Sequence, residues 1–189
     1  MLTTEIGTGL WSRYYSPTTL EDALALLARE GRNARIMAGG TDLVIELDRG
    51  VRRLNAIIDI TRIGGLNRIE LENGRIHLGP LVTHNHVVTS AVCVERALPL
   101  AQAAWQVGAP QIRNRGAVAG NVITASPAND TITPLMALDA SVTLASGRVL
   151  RDAALAEFYT GVRRTVMADD EMLTGIHFAA LAPHQRGVF

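Results

Sequence analysis

Between the run Arg35-Ile36-Met37-Ala38 and the next apolar segment at Leu43, the chain places Gly39-Gly40-Thr41-Asp42. Two adjacent glycines remove both Cβ atoms, so the turn admits positive φ and lets another backbone or a ligand come close. A strand has to end before it, and a new element has to begin after it. Successive N–H groups in such a turn form a concave nest that suits phosphate. Glycine-rich turns are equally common as strand-to-helix punctuation that binds nothing, and this stretch alone leaves the two readings evenly balanced.

The surrounding pattern gives the turn a setting. Residues up to Arg13 read as a short extension, and Tyr14-Tyr15-Ser16-Pro17 as extended chain, because a residue before proline is pushed out of the α region. Thr18-Thr19-Leu20-Glu21 fits a capping box with Thr18 as cap and Glu21 reaching back. Leu20, Ala23, Leu24 and Leu27 recur at helical spacing, and Gly31 supplies the stop. A strand over Arg35–Ala38, a helix over Leu43–Leu47 and a β-branched strand over Ala56–Ile60 then predict a small parallel sheet.

The style changes after Ile63-Gly64-Gly65, and a subdomain boundary is placed near residue 65. Alternating apolar and polar residues flank Asn73-Gly74, a strong signal for an antiparallel hairpin. Helices are expected over His84–Ser90 and Pro99–Val107, the second packing through Leu100, Ala101, Ala104 and Trp105. Gln111 to Asp130 is glycine-rich and polar with no helical period, and reads as irregular. A short helix at Pro134–Leu138, a hairpin pairing Ser141–Leu144 with Arg148–Leu150, and a strand over Met172–Phe178 complete an α+β chain. Its 189 residues suffice for one domain or two small ones.

Composition removes several chemistries. Formal charge is zero, so non-specific nucleic-acid binding has no electrostatic footprint. All 18 basic residues are Arg, which excludes a Schiff-base or Walker lysine on this chain. The single cysteine, Cys93, can hold neither a disulfide nor an iron–sulfur cluster alone, and its apolar neighbours point to a buried inert thiol. No apolar run reaches membrane-spanning length, and the N-terminus lacks a signal-peptide pattern, so a cytoplasmic location is expected. His84 and His86 lack a third metal ligand nearby and read as helix-entry or surface residues. Arg163-Arg164 and Asp169-Asp170 read as solvated surface, and Arg49, Arg52 and Arg53 as surface or partner contacts.

A second small-residue turn, Gly116-Ala117-Val118-Ala119-Gly120-Asn121, follows Gln111-Ile112-Arg113-Asn114-Arg115. Arg113 and Arg115 can face phosphate or simply lie exposed beside the loop. Asn121 offers a donor and an acceptor, and Asp130 is a carboxylate of the kind that holds sugar hydroxyls. Two nests, an amide and a carboxylate describe an extended nucleotide cofactor.

Ala38–Leu43, Gln111–Gly116, Ala119–Asn121 and Ser126–Asp130, in that order, resemble the FAD-binding medium subunit of molybdenum hydroxylases, the xanthine dehydrogenase and aerobic carbon monoxide dehydrogenase family. Tyr15-Ser16-Pro17, the helix after it and Glu171-Met172-Leu173 fit too, so the likeness runs from about Arg13 to Phe189.

The resemblance implies a two-subdomain FAD fold of the vanillyl-alcohol-oxidase/PCMH type, with a small parallel sheet and a larger antiparallel sheet. It divides the chain into an extension (1–13), FAD-binding subdomains at 14–65 and 66–180, and the start (181–189) of a C-terminal domain that the chain lacks. Carried over, Ile36, Met37, Ala38, Gly39, Gly40, Thr41, Asp42 and Leu43 hold the FAD pyrophosphate. Ala117, Val118, Ala119, Gly120 and Asn121 meet it from the other side. Val107 lies near the flavin, Asp130 accepts from a sugar hydroxyl, and Leu173 packs on the isoalloxazine.

The implied function is electron relay. Single electrons come from [2Fe–2S] clusters on a small subunit, after oxidation of substrate on a molybdopterin-binding large subunit, and leave to NAD, a quinone or O2. No acid–base or nucleophilic residue is implied. The family usually has Thr at Ala117 and Gly at Ala119; the missing hydroxyl removes about 1 kcal/mol of hydrogen bonding, and Ala119 is harmless where φ is negative. Gly39→Val is expected to abolish FAD binding in a protein that still folds. The alternatives are an assembly module without flavin and a stand-alone flavin oxidoreductase.

Overall fold

The computed structural model describes Thr3–Thr4 and residues 10–189. Short β-branched and aromatic runs build the first sheet: β1 (Thr3–Thr4), β2 (Arg13–Tyr15), β3 (Ala34–Met37) and β4 (Ala56–Asp59). Its order is β1-β2-β4-β3. Strand β4 is buried at all four positions and pairs in parallel with β2 and β3, as the strand–helix–strand pattern predicts; β1 adds an antiparallel edge.

Helix α1 (Leu20–Glu30) crosses from β2 to β3, burying Ala23, Leu24, Leu26 and Leu27. Its cap is Thr19 rather than Thr18: the extended backbone of Thr19 lets its hydroxyl accept from the Asp22 N–H, 3.2 Å away. Gly31 closes the helix at φ 56°. Helix α2 (Leu43–Asp48) follows the glycine doublet and joins β3 to β4.

The second sheet has five antiparallel strands in the order β5-β6-β11-β7-β8, namely β5 (Ile69–Glu72), β6 (Arg75–Leu78), β7 (Ser141–Ala145), β8 (Leu150–Ala154) and β11 (Met172–Ala179). Asn73 and Gly74 turn β5 into β6 with φ of 50° and 75°. Both angles are positive, which matches the twist of the strands they join. A small hairpin, β9 (Tyr159–Gly161) with β10 (Arg164–Thr165), projects before β11.

Six short helices fill the interval between β6 and β7: α3 (His84–Thr89), α4 (Ala91–Arg96), α5 (Leu98–Gln106), α6 (Pro110–Arg115), α7 (Val118–Thr124) and α8 (Ile132–Ala137). One more, α9 (Leu155–Phe158), follows β8. The stretch expected to be irregular from Gln111 to Asp130 therefore contains two helices. Neither is long enough to show a period; Pro110 starts the first with its φ already set, and burial of Val118, Ala119 and Val122 holds the second. Trp105 also departs from expectation. It is 57% exposed, and Ala103 takes the buried place on α5.

One core gathers α1 and the first sheet around Ile58 and Ile60; another gathers the helices against Ile76, Leu78, Ile176 and Phe178. Ala145 and Met172 belong to the second sheet but pack in the first core, so the two layers are joined by buried apolar contact. Cys93 is fully buried, as expected. Among the described residues no helix is long and apolar enough to cross a membrane.

Candidate functional site

The glycine doublet at the end of β3 faces the segment between α6 and α7, and a cleft opens where they meet. It has two lobes. The larger, about 470 Å³, is lined by every residue from Ile36 to Leu43 and, opposite, by Val107, Ala117, Gly120 and Asn121. A smaller lobe of about 380 Å³ is lined by Thr61–Gly65, His86, Asn114 and Arg115. Ala38, Gly39 and Ala117 line both, so the lobes meet at the first turn.

The first wall is made of backbone. Gly40 sits at φ 74°, a conformation that side chains rarely adopt. Among the described residues no hydrogen-bond acceptor takes the N–H groups of Gly39, Gly40, Thr41 or Asp42. Four consecutive donors left free at the edge of a cleft make an anion nest. Gly39 has a further role: a Cβ there would overlap the carbonyl of Arg115 on the opposite wall. The protein's own backbone occupies that space. This overturns the expectation that Gly39→Val folds normally, because the substitution strikes the junction of the two layers.

The second wall is held from behind. Thr83 and Ala117 form an isolated β-bridge, Val118 donates its N–H to the Val82 carbonyl at 2.9 Å, and Val118 and Ala119 are buried. Ala119 has no positive φ, so an alanine costs nothing there. Gly120 lies inside α7 and lines the cleft, and a Cβ on it would meet nothing within 4 Å. A mid-helix glycine costs about 1 kcal/mol relative to alanine, and no atom of the described residues explains this one. Open space at a cleft-lining glycine fits the close approach of a ligand.

Side chains from the two walls meet in the lining of the larger lobe. The Thr124 hydroxyl, which donates to the Gly120 carbonyl at 2.8 Å, lies 3.3 Å from an Asp42 carboxylate oxygen, and Arg163 reaches Glu46 at 3.3 Å. Glu46 also pairs with Arg52 at 2.9 Å. Arg35, Arg52 and Arg163 against Asp42 and Glu46 leave this lobe with a cationic excess. The smaller lobe has Arg62 and Arg115 and no carboxylate in its lining. Both lobes thus favour an anion.

His84 lines the larger lobe from the start of α3 and is 3% exposed. Burial, and then the charge of Arg113, lower its pKa to about 4, so the ring is neutral near pH 7. His86 completes the helix cap instead, accepting at Nδ1 from the Thr83 N–H. Arg113 is buried at 7% exposure rather than lying exposed or facing phosphate. Tyr14, at the other side of the first sheet, donates to Asp59, and burial followed by that bond pushes its pKa up to about 12. Asp59 in turn accepts from the Thr61 N–H at 2.8 Å, anchoring the start of the smaller lobe's lining.

The cleft brings together twelve of the residues named from sequence, Ile36 to Leu43 with Val107, Ala117, Gly120 and Asn121. Val118 and Ala119 stand behind its wall. Asp130 is outside the lining; its neighbour Asn129 is inside, donating to the Asn121 carbonyl at 2.7 Å. Leu173 is buried in the second core beside Leu144. Sequence reasoning missed Glu46, Arg163, Asn129 and the Thr61–Gly65 turn as lining residues. Among these only the Gly64-Gly65 doublet carries a local signal, and in the sequence it marks a change of style rather than a binding turn.

Comparison with known proteins agrees with this geometry. The family model described as the FAD binding domain in molybdopterin dehydrogenase matches residues 7–180. The chain belongs to that family, and FAD is the cofactor the cleft has to fit. More particularly, it is 36% identical over 180 residues to the nicotinate dehydrogenase FAD-subunit of Eubacterium barkeri, covering 93% of this chain and 61% of that one. It is 33% identical over 170 residues to the xanthine dehydrogenase FAD-binding subunit of Escherichia coli O157:H7, covering 89% and 58%.

Among solved structures, carbon monoxide dehydrogenase from Hydrogenophaga pseudoflava superposes with a TM-score of 0.87 at 27% identity, covering 96% of this chain and 61% of that one. p-Cresol methylhydroxylase, at TM-score 0.51 and 13% identity, shares the fold alone. The chain spans 58–61% of the length of these two curated relatives.

Proposed function

We propose that this chain is the FAD-binding, electron-transferring part of a cytoplasmic molybdenum hydroxylase. The observation that carries the reading is Gly120, an interior helix glycine with open space at a cleft whose facing wall presents four free N–H donors. On this reading the diphosphate lies between the nest at Gly39–Asp42 and the wall at Ala117–Asn121. Asn121, 8% exposed and lining the cleft, supplies an amide to the same ligand.

Residues 14–65 and 66–180 act as the two FAD-binding subdomains, and Asp130 and Leu173 reach FAD only if their segments shift on binding. FAD, when bound, supplies the one- and two-electron chemistry. The protein's residues bind and orient it, neutralise its charge and exclude water. Partners that fit this role are a molybdopterin-binding subunit and a [2Fe–2S] subunit, with NAD, a quinone or O2 as external acceptor.

The test is the visible spectrum of the purified protein, followed by mixing with those two subunits and substrate. Stoichiometric flavin that is reduced only when the subunits are present supports the proposal. A folded, colourless protein that takes up no FAD would overturn it, in favour of an assembly role. Flavin reduced directly by substrate, without partners, would favour a stand-alone oxidoreductase.

A further inference from the structure

Behind the second wall lies a charge with no counter-ion. Arg113 is 7% exposed, and among the described residues no salt bridge includes it. Its Nη1 donates to the carbonyls of Val107 and Gly108, both at 3.1 Å, and its Nε has no partner among the described residues. The guanidinium lies over the Trp105 ring, 4.6 Å from its centroid. A buried guanidinium is costly to leave unpaired, and one held by two carbonyls and an indole face has a fixed position.

Those two carbonyls belong to the turn between α5 and α6. Val107 caps α5, where a cation is electrostatically favoured, and Gly108 turns at φ 45° with Ile112 closing over it. Val107 and Ile112 both line the larger lobe, and so does His84, whose titration Arg113 depresses. Arg113 is absent from that lining. It touches the wall from the protein side only.

We propose that Arg113 is the positioning residue of this wall: its guanidinium, lying over the Trp105 ring and donating through Nη1 to both carbonyls, holds the Val107–Gly108 turn in the shape that receives the ligand. The inference rests on the reading of the cleft as an FAD site and deepens it. Lysine carries the same charge but lacks the flat guanidinium face that lies over Trp105, so it cannot hold the turn in the same way. A purely electrostatic role would be indifferent to that exchange.

The experiment compares the parent with Arg113→Lys, Arg113→Met and Trp105→Leu, all in a Trp11→Phe background so that Trp105 is the sole indole where present. FAD titration is read beside hydrogen exchange of the ligand-free segment 106–112. Positioning predicts that both Arg113 variants bind FAD about tenfold more weakly, with faster exchange in that segment. It also predicts that ligand-free Trp105 emission differs between the parent and Arg113→Met, because the indole loses the guanidinium over its face.

Trp105 is largely exposed, so Trp105→Leu folds whether or not the Arg113 variants do, and it is expected to weaken FAD about threefold. Parent-like affinity in Arg113→Lys, or in Trp105→Leu, overturns the inference while leaving the FAD site intact. A folded parent that binds no FAD overturns both.

Discussion

At Gly39 an added Cβ would run into the carbonyl of Arg115, whereas at Gly120, on the facing wall, it would meet open space. Both glycines line the same lobe. The first is glycine because the protein's two layers touch there; the second has no such reason among the described residues. A glycine-rich motif can therefore mix positions that hold the fold together with positions that admit a ligand. The first wall is a bare turn whose N–H donors are unbonded among the described residues, and the second is a helix backed by the larger core.

The strongest way to break this comparison is Gly39→Ala. The clash is with backbone, which cannot rotate away, so the expected destabilisation is about 3 kcal/mol or more, read as a loss of midpoint in denaturant unfolding. Parent-like stability would mean that the two walls do not touch at Arg115.

The second wall has its own pH signature. The His84 pKa falls from 6.5 to about 4 in the folded chain, so the unfolded state binds more protons between those values. Stability is therefore complete above pH 6.5 and is lost as pH falls toward 4, by about 3 kcal/mol for this group. His84→Phe should flatten that part of the profile relative to the parent; an unchanged slope would place the imidazole in water.

Gly120→Ala is expected to act in the opposite sense to Gly39→Ala. It relieves the helix of a glycine and raises ligand-free stability by about 1 kcal/mol, measured by thermal unfolding. A loss instead would show that protein atoms do fill that space. Smallest is Arg163→Met. The pair it breaks with Glu46 is exposed on the arginine side and worth about 0.5 kcal/mol, and the difference from the parent should shrink as salt is raised.

Much of the fold is legible from local signals. Asn73-Gly74 demands its hairpin, the strand–helix–strand run yields the parallel pairs of β4, and the spacing of α1 marks its buried face. The first wall is equally legible, because a glycine doublet between apolar runs is a local event.

The second wall is not. Helices α6 and α7 are held by packing across the chain rather than by their own periodicity, so the segment read as loop. Arg113 looks like any loop arginine until Trp105, Val107 and Gly108 are seen around it. Glu46 and Arg163 are 117 residues apart, and nothing local announces their meeting.

The most direct measurement of the central claim is an FAD titration of the parent beside Gly120→Val, with unfolding of both ligand-free proteins. The account predicts one FAD per parent chain, at least about a hundredfold weaker binding in the variant, and near-parent stability. Full FAD affinity in a folded Gly120→Val protein would contradict it, because the space beside Gly120 would then belong to no ligand.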